Sequence, residues 1–458
     1  MELPEPKSHA PAGQGAPPAS VERLRGWFGG LRATHVGGRL EIAGRIGLEA
    51  VADPQRVLFL VLFVALVLRL IWLNLPSNAL IFDEAYYVNA ARVILGLTPT
   101  SHYVGSAVGF DPNTEHPPLG KLLIAGSMLL FGDNGFGWRI PSVIASMIAL
   151  LAVYGIVRTT SRSAWLAVLV VSLVSLDNMT LVHGRIGTLD MLVLAPMLVA
   201  AWLALKRRWA LAGLALGIGL LIKITAIYAV GAILLYFLLT DGRAWWKARR
   251  VPLLALLAPL GFLVVTFSVA IGGLAVLDAR YTRFATPIEH ISRIVTYGAN
   301  LRAPATAGFC PKADSRPWDW LFNECQITYL RRDVTVRVSQ NVVSRTATVD
   351  FRGAMNPLLV GAVPLAALFA LWYAWRTRSR LALWAVAWAA ANYLPYVALA
   401  LFTDRIMYIY YALPLVPVMA IFVALLLVRA RLPRFVRWGY LAAYVVGFLA
   451  YFPFRQVP

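Results

Sequence analysis

Lys206 to Arg250 reads KRRWALAGLALGIGLLIKITAIYAVGAILLYFLLTDGRAWWKARR. Basic clusters close both ends, and a single cation, Lys223, interrupts the apolar interior. A membrane span needs roughly 20 mostly apolar residues. The stretch is therefore either one long, tilted or broken helix, or two short spans at 209–222 and 224–239. Loops rich in Lys and Arg stay on the cytoplasmic side. Two flanking basic clusters on one side require an even number of crossings, which favours two spans with Lys223 at the far end.

The same pattern extends outward. Further apolar runs lie at 57–75, 139–157, 163–182, 189–205, 251–277, 354–375, 381–402, 406–428 and 438–455, giving eleven candidate spans. With a cytoplasmic N-terminus, the inner loops carry Arg158 and Arg162, Lys206 to Arg208, Arg243 to Arg250, Arg376 to Arg380 and Arg429 to Arg437. Every alternate connection is basic. The net charge of +20, from 42 Lys+Arg against 22 Asp+Glu, is thus spread over loops. Nucleic-acid binding would gather it on one soluble face, so a nucleic-acid partner is not expected. The chain is 59% hydrophobic and 14% charged, against about 25% charged for a soluble domain. The expected class is an all-α polytopic membrane protein in contact with membrane lipids.

Four regions follow: a cytoplasmic tail (1–55), a transmembrane module (56–277) with a first outer loop at 76–138, a second outer loop (278–353), and C-terminal transmembrane helices (354–458). The tail has no secretory apolar run. Its residues 5–20 read as disordered, and 21–52 admit a surface helix. Leu119 to Phe131 is short for a span and reads as a helix at the interface. Partial alternation from Val334 to Phe351 predicts a hairpin or small sheet in the second outer loop. Both cysteines of the chain, Cys310 and Cys325, fall in that loop. An oxidising outer face allows a disulfide; the other reading is two thiols. Without a histidine cluster they argue against zinc.

Polar residues gather on the outer face. Asp83-Glu84 follows the first span beside Tyr86 and Tyr87. The plain reading is a solvated loop start that caps the next helix. The chemical one is a general base, since a carboxylate at a partly apolar interface titrates closer to neutrality. His116 and Lys121 bracket a proline-fixed helix start in EHPPLGK (115–121), an arrangement suited to an anion. Arg185, Asp190, Lys223 and Arg405 lie at outer ends of spans, where they read as interfacial anchors or as ligands for a phosphate.

The order of these motifs resembles the protein O-mannosyltransferases, membrane glycosyltransferases of the C-type fold that use a polyprenyl-phosphate sugar. The matching residues are Asp83-Glu84, His116 to Lys121, Leu176-Asp177-Asn178, Arg185 with Leu189-Asp190, Lys223-Ile224-Thr225, YGANLRA (297–303), SRPWDWL (315–321), Gly353 with Asn356-Pro357, and Arg405 with Tyr408 to Tyr411 and Pro414. The resemblance spans about 57–455. The loop at 278–353 leaves no room for the large β-trefoil domain of eukaryotic members, and the family's late His-Tyr pair is here Tyr410-Tyr411.

The resemblance implies transfer of mannose from the lipid carrier to Ser/Thr hydroxyls of a protein acceptor at the extracytoplasmic face of the cell membrane, with inversion. By the same resemblance Asp83 is the base, with Glu84 assisting, while His116, Lys121, Arg185, Asp190, Lys223 and Arg405 bind the donor phosphate or sugar. No metal ligand set stands out, and a divalent cation on Asp83-Glu84 is left open as a cofactor. Two other readings remain: a lipid-linked sugar transferase acting on a glycan, glycolipid or lipid A, and a transporter or flippase.

Overall fold

The computed structural model describes residues 53–242, 245, 253–302, 310, 314–339 and 342–455. The tail expected to combine disorder with a surface helix lies outside these residues, apart from Asp53 to Gln55 at its end.

The first helix, α1 (Pro54–Leu70), starts where the Asp53 carboxylate accepts the Gln55 N–H. Pro54 lacks the N–H that would otherwise go unpaired there. The turn after it leads into α2 (Glu84–Leu95), closed by left-handed Gly96 at φ 76°. The short apolar helix α3 spans Leu119–Phe131. The long helix α4 (Gly135–Ser161) begins on Asn134, whose side chain accepts the Phe136 and Gly137 N–H groups. At 27 residues it runs roughly 40 Å.

The run read as one span at 163–182 is broken into α5 (Ala164–Ser175) and α6 (Asn178–His183). Asp177 causes the break. Its carboxylate accepts the Thr180 N–H and hydroxyl, starting a new helix, and also the Asn356 N–H. Then come α7 (Leu189–Leu205), α8 (Trp209–Leu220), a 3-10 turn at Ile224–Ala226 and α9 (Ile227–Phe237). Lys223 thus sits in a non-helical turn between two helices. Next are α10 (Leu253–Tyr281), α11 (Pro287–Asn300) and the one-turn α12 (Pro317–Trp320).

Two antiparallel strands, β1 (Ile327–Ser339) and β2 (Val342–Gly353), pair from Ile327↔Gly353 to Ser339↔Val342 with three irregularities. They begin earlier than the alternating run of the sequence, because the base of the ribbon packs Tyr329, Val349 and Phe351 against Ile81, Val182, Ile186 and Phe454. The chain closes with α13 (Pro357–Thr377), α14 (Arg380–Phe402), a 3-10 turn at Ile409–Leu415, α15 (Val416–Arg429) and α16 (Arg434–Ala450).

Among the described residues six stretches are long and apolar enough to cross a membrane, and four shorter apolar helices accompany them. The protein is therefore mostly helical and multi-pass. Its helices pack through small residues and buried polar caps, since lipid offers no hydrophobic drive between helices and no partner for free backbone groups. Asn356 shows the second device. Its amide donates to the Leu176 and Tyr444 carbonyls while its oxygen caps α13 at Leu358, so one side chain joins α5, α13 and α16. Gly213 and Gly217 show the first. A Cβ at Gly213 would lie 2.8 Å from the Phe262 carbonyl, and one at Gly217 would lie 2.6 Å from Val269 Cβ.

Gly217→Leu is expected to separate α8 from α10 and destabilise the protein by about 1–3 kcal/mol. Gly261→Ala, where an added Cβ meets nothing within 4 Å, is expected to leave stability within about 0.5 kcal/mol. Thermal unfolding in detergent compares the two, and equal effects would refute the close-packing role of α8.

Candidate active site

A cleft of about 620 Å³ opens where the segments 76–138 and 278–353 meet. Its walls come from Phe82 and Asp83, the first turn of α2, the segment 113–116, the Lys223 turn, α11, and the segment from Arg405 to Tyr411. Asp83, His116, Lys223 and Arg405 are brought together here, although they are up to 322 positions apart in sequence (405 − 83).

Asp83 precedes α2 but makes no capping hydrogen bond, so the plain helix-cap reading does not account for it. Its carboxyl is pushed up to about 7, first by burial, then by the negative charge of Asp190, with Lys223 opposing. An acid titrating there can accept a proton near neutral pH. His116 is held well below the ordinary imidazole range by burial and by the charges of Lys223, Lys121 and Arg405. It is a neutral ring, with Nδ1 buried and unpartnered. Lys223 bonds Asp190 at 2.7 Å, and its ammonium lies 5.7 Å from the Tyr410 ring centroid.

Arg405 has no carboxylate partner among the described residues, and its Nε is buried without an acceptor. Its backbone is nevertheless well held. Arg302 bridges to it, Ile406 donates to the Leu301 carbonyl, and Met407 bonds Asp314 and Ser315. The Cys310–Cys325 disulfide, with Cα atoms 5.2 Å apart, closes the loop that carries Asp314 and Ser315.

Four residues expected at the site stand outside the cleft wall, each with its charge satisfied internally. Glu84 accepts Arg139 Nε at 2.7 Å and Nη2 at 2.9 Å, and also the N–H groups of Ile81 and Gly187 at 2.7 Å. Lys121 pairs with Asp111 at 2.6 Å and donates to the His116 carbonyl at 2.7 Å. Arg185 donates to the Leu68 and Ile71 carbonyls at 2.9 and 2.6 Å and lies over Phe454. Asp190 stands behind Lys223, with His183 3.9 Å away.

Sequence reading did not single out Tyr228 and Tyr396, which join Tyr86, Tyr87, Tyr297, Tyr408, Tyr410 and Tyr411 around the cleft. Tyr228 and Tyr396, like the other six, present rings and hydroxyls to the cleft. The only signal for them is clustering near span ends, which interfacial anchoring also produces. No group of three or more His, Cys, Asp or Glu able to hold a metal occurs among the described residues.

Known proteins are similar to this chain in sequence and in fold. Residues 115–269 fit the family model described as dolichyl-phosphate-mannose-protein mannosyltransferase. A polyprenol-phosphate-mannose–protein mannosyltransferase of Corynebacterium glutamicum is 25% identical over 76% of this chain and 77% of its own length. The Saccharomyces cerevisiae protein O-mannosyltransferase Pmt1-Pmt2 complex, solved with its sugar donor, aligns over 88% of this chain and 89% of the matched chain, with a TM-score of 0.64 at 11% identity. ArnT from Cupriavidus metallidurans, solved with undecaprenyl phosphate, aligns over 85% and 62%, with a TM-score of 0.51 at 19% identity. The shared fold is that of the C-type membrane glycosyltransferases. Within that fold, the family model and the Corynebacterium relative make protein mannosyltransferases the proteins to which this chain is similar in sequence.

Removing one partner of a buried ion pair strands the other charge and costs about 3–5 kcal/mol. Glu84→Gln is therefore expected to lower thermal stability clearly. Asp83→Asn behaves oppositely. With its pKa raised in the folded state, Asp83 binds more protons folded than unfolded between the ordinary carboxylate value and about 7. Its ionisation therefore costs stability as pH rises through that window. At pH 8 the Asn variant is expected to melt no lower than wild type, and a clear drop would contradict this division of labour.

Proposed function

We propose that this protein transfers a mannosyl residue from a polyprenyl-phosphate carrier to Ser/Thr hydroxyls of proteins, with inversion. The observation that carries the reading is the cleft itself, where an unpaired carboxylate titrating near neutrality faces an arginine without a carboxylate partner and a lysine. The acceptor hydroxyl oxygen attacks the sugar C1 as its bond to the phosphate oxygen breaks. The hydroxyl proton passes to Asp83, and the polyprenyl phosphate leaves as an anion. Lys223 and Arg405 stabilise the charge growing on that phosphate, while neutral His116 offers a hydrogen bond to donor sugar or phosphate. Glu84, Lys121, Arg185 and Asp190 act behind them as positioning residues. The positive charge at the leaving group comes from these two side chains.

The eleven-span topology belongs to the same reading. It puts Lys223 and Arg405 outside and the clusters at 206–208, 376–380 and 429–437 inside, and hence the cleft on the extracytoplasmic face. Basic residues stand at the far ends of helices whose other ends border the cleft, as with α7, α14 and α15.

Purified protein is to be incubated with polyprenyl-phosphate mannose and either a Ser/Thr peptide or a lipid A acceptor. Mannosylated peptide is expected, and product confined to the lipid acceptor would replace the reading with a glycolipid transferase. Asp83→Asn is expected to abolish transfer while insertion stays normal. The wild-type rate should rise about tenfold per pH unit up to about 7 and then level off. Arg405→Ala is expected to lower turnover by about 10²–10³. Turnover that survives EDTA agrees with protein cations at the phosphate, whereas restoration only by an added divalent metal would move that role to the metal.

A further inference from the structure

A second cavity, of about 460 Å³, lies at the opposite end of the helices that border the cleft. Helix α7 has Asp190 at its first turn and Arg207 just past its last, 17 residues or roughly 25 Å away. The second cavity is lined there by Ala204, Leu205 and Arg207, by the end of α9 with Tyr236 to Asp241, and by Arg378, Arg380 and Leu383 from the α13–α14 turn. Two helical hairpins and the end of α9 thus meet around one opening.

Its chemistry is divided. Leu205, Phe237, Leu239 and Leu383 make the wall apolar, while three arginines contribute the cations, Arg207 after α7 and Arg378 and Arg380 at the α13–α14 turn. Arg207 is neutralised by Asp241 at 3.0 Å and lies 4.4 Å from the Phe237 ring centroid. Arg380 donates to the Tyr236 hydroxyl at 3.2 Å. Neither Arg378 nor Arg380 has a carboxylate partner among the described residues. The opening therefore holds two uncompensated guanidinium groups above an apolar wall, at the level where helices that cross the membrane end. Guanidinium suits phosphate oxygens through paired hydrogen bonds. Basic pockets between helix ends on the cytoplasmic side fit lipid headgroups.

We propose that this cavity binds the headgroup of an anionic phospholipid from the inner leaflet, its phosphate on Arg378 and Arg380 and its first chain carbons against Phe237 and Leu239. The apolar wall distinguishes a lipid from a soluble phosphate, which would use the arginines alone. Occupancy would brace α7, α9 and the α13–α14 turn from the end opposite the transfer site.

The test uses the full-length protein in zwitterionic detergent, with thermal unfolding read against added phosphatidylglycerol, phosphatidylcholine or inorganic phosphate. Phosphatidylglycerol is expected to raise the midpoint by several degrees, and neither other addition should match it. In R378Q/R380Q that rise is expected to disappear, and phosphatidylglycerol retained through purification, counted by mass spectrometry, should fall at least threefold. The variant's unchanged midpoint without lipid, together with monodisperse elution, checks that it is folded. An equal response to phosphatidylcholine, an equal response to inorganic phosphate, or full retention of lipid by the double variant would each overturn the proposal. The readout is binding, so it stands or falls separately from the transfer reaction.

Discussion

Two neighbouring carboxylates are driven to opposite fates by one buried ion pair. Glu84 receives two hydrogen bonds from Arg139 and one each from the backbones of Ile81 and Gly187. It thereby ties the turn after α1, the start of α2, the first turns of α4 and the approach to α7 to one fully buried point. A carboxylate so saturated has no lone pair left for chemistry. With Glu84 fixed, its neighbour Asp83 is left at the cleft, uncapped and poorly solvated. Burial then carries its titration toward neutrality.

Much of the remaining polar inventory serves the same end. Lys121 holds the segment ending at His116 through Asp111 and the His116 carbonyl. On its other side His290 lies between two acceptors, its Nδ1 2.7 Å from the Asp278 carboxylate and its Nε2 3.1 Å from the Thr114 carbonyl. Arg185 satisfies the carbonyls left over at the end of α1, and the Asp177–Asn356 pair joins helices far apart in the chain. In a lipid surrounding, each of these groups would be costly if unpaired. Their pairing frees few cations, and the two left facing the cleft, Arg405 and the Asp190-anchored Lys223, are those the transfer reaction would use.

Legibility in the sequence was uneven for the same reason. Apolar runs and the basic clusters between them are features of stretches of about 20 residues, which a local reading captures. Its errors were at breaks, as in the run 163–182, where Asp177 stops one helix and starts another through a contact with Asn356, 179 positions away. The candidate residues were found by type and place. Of eight, four line the cleft and four support it. Lys121 and Arg185 have the same charge as Lys223 and Arg405, and only their partners differ. Of the tyrosine lining, Tyr228 and Tyr396 left no distinctive mark, because tyrosines in or near apolar runs serve interfaces as readily as sites.

The sequence by itself determined a multi-pass protein whose basic clusters recur between its apolar runs. That much follows from the local cost of burying charge and from apolar length. Only the tertiary structure decided which of Asp83 and Glu84 faces the cleft, which cations remain free, and that Cys310 and Cys325 are joined. Those outcomes rest on contacts made across the whole chain, where a buried charge takes whatever partner the packing brings within 3 Å.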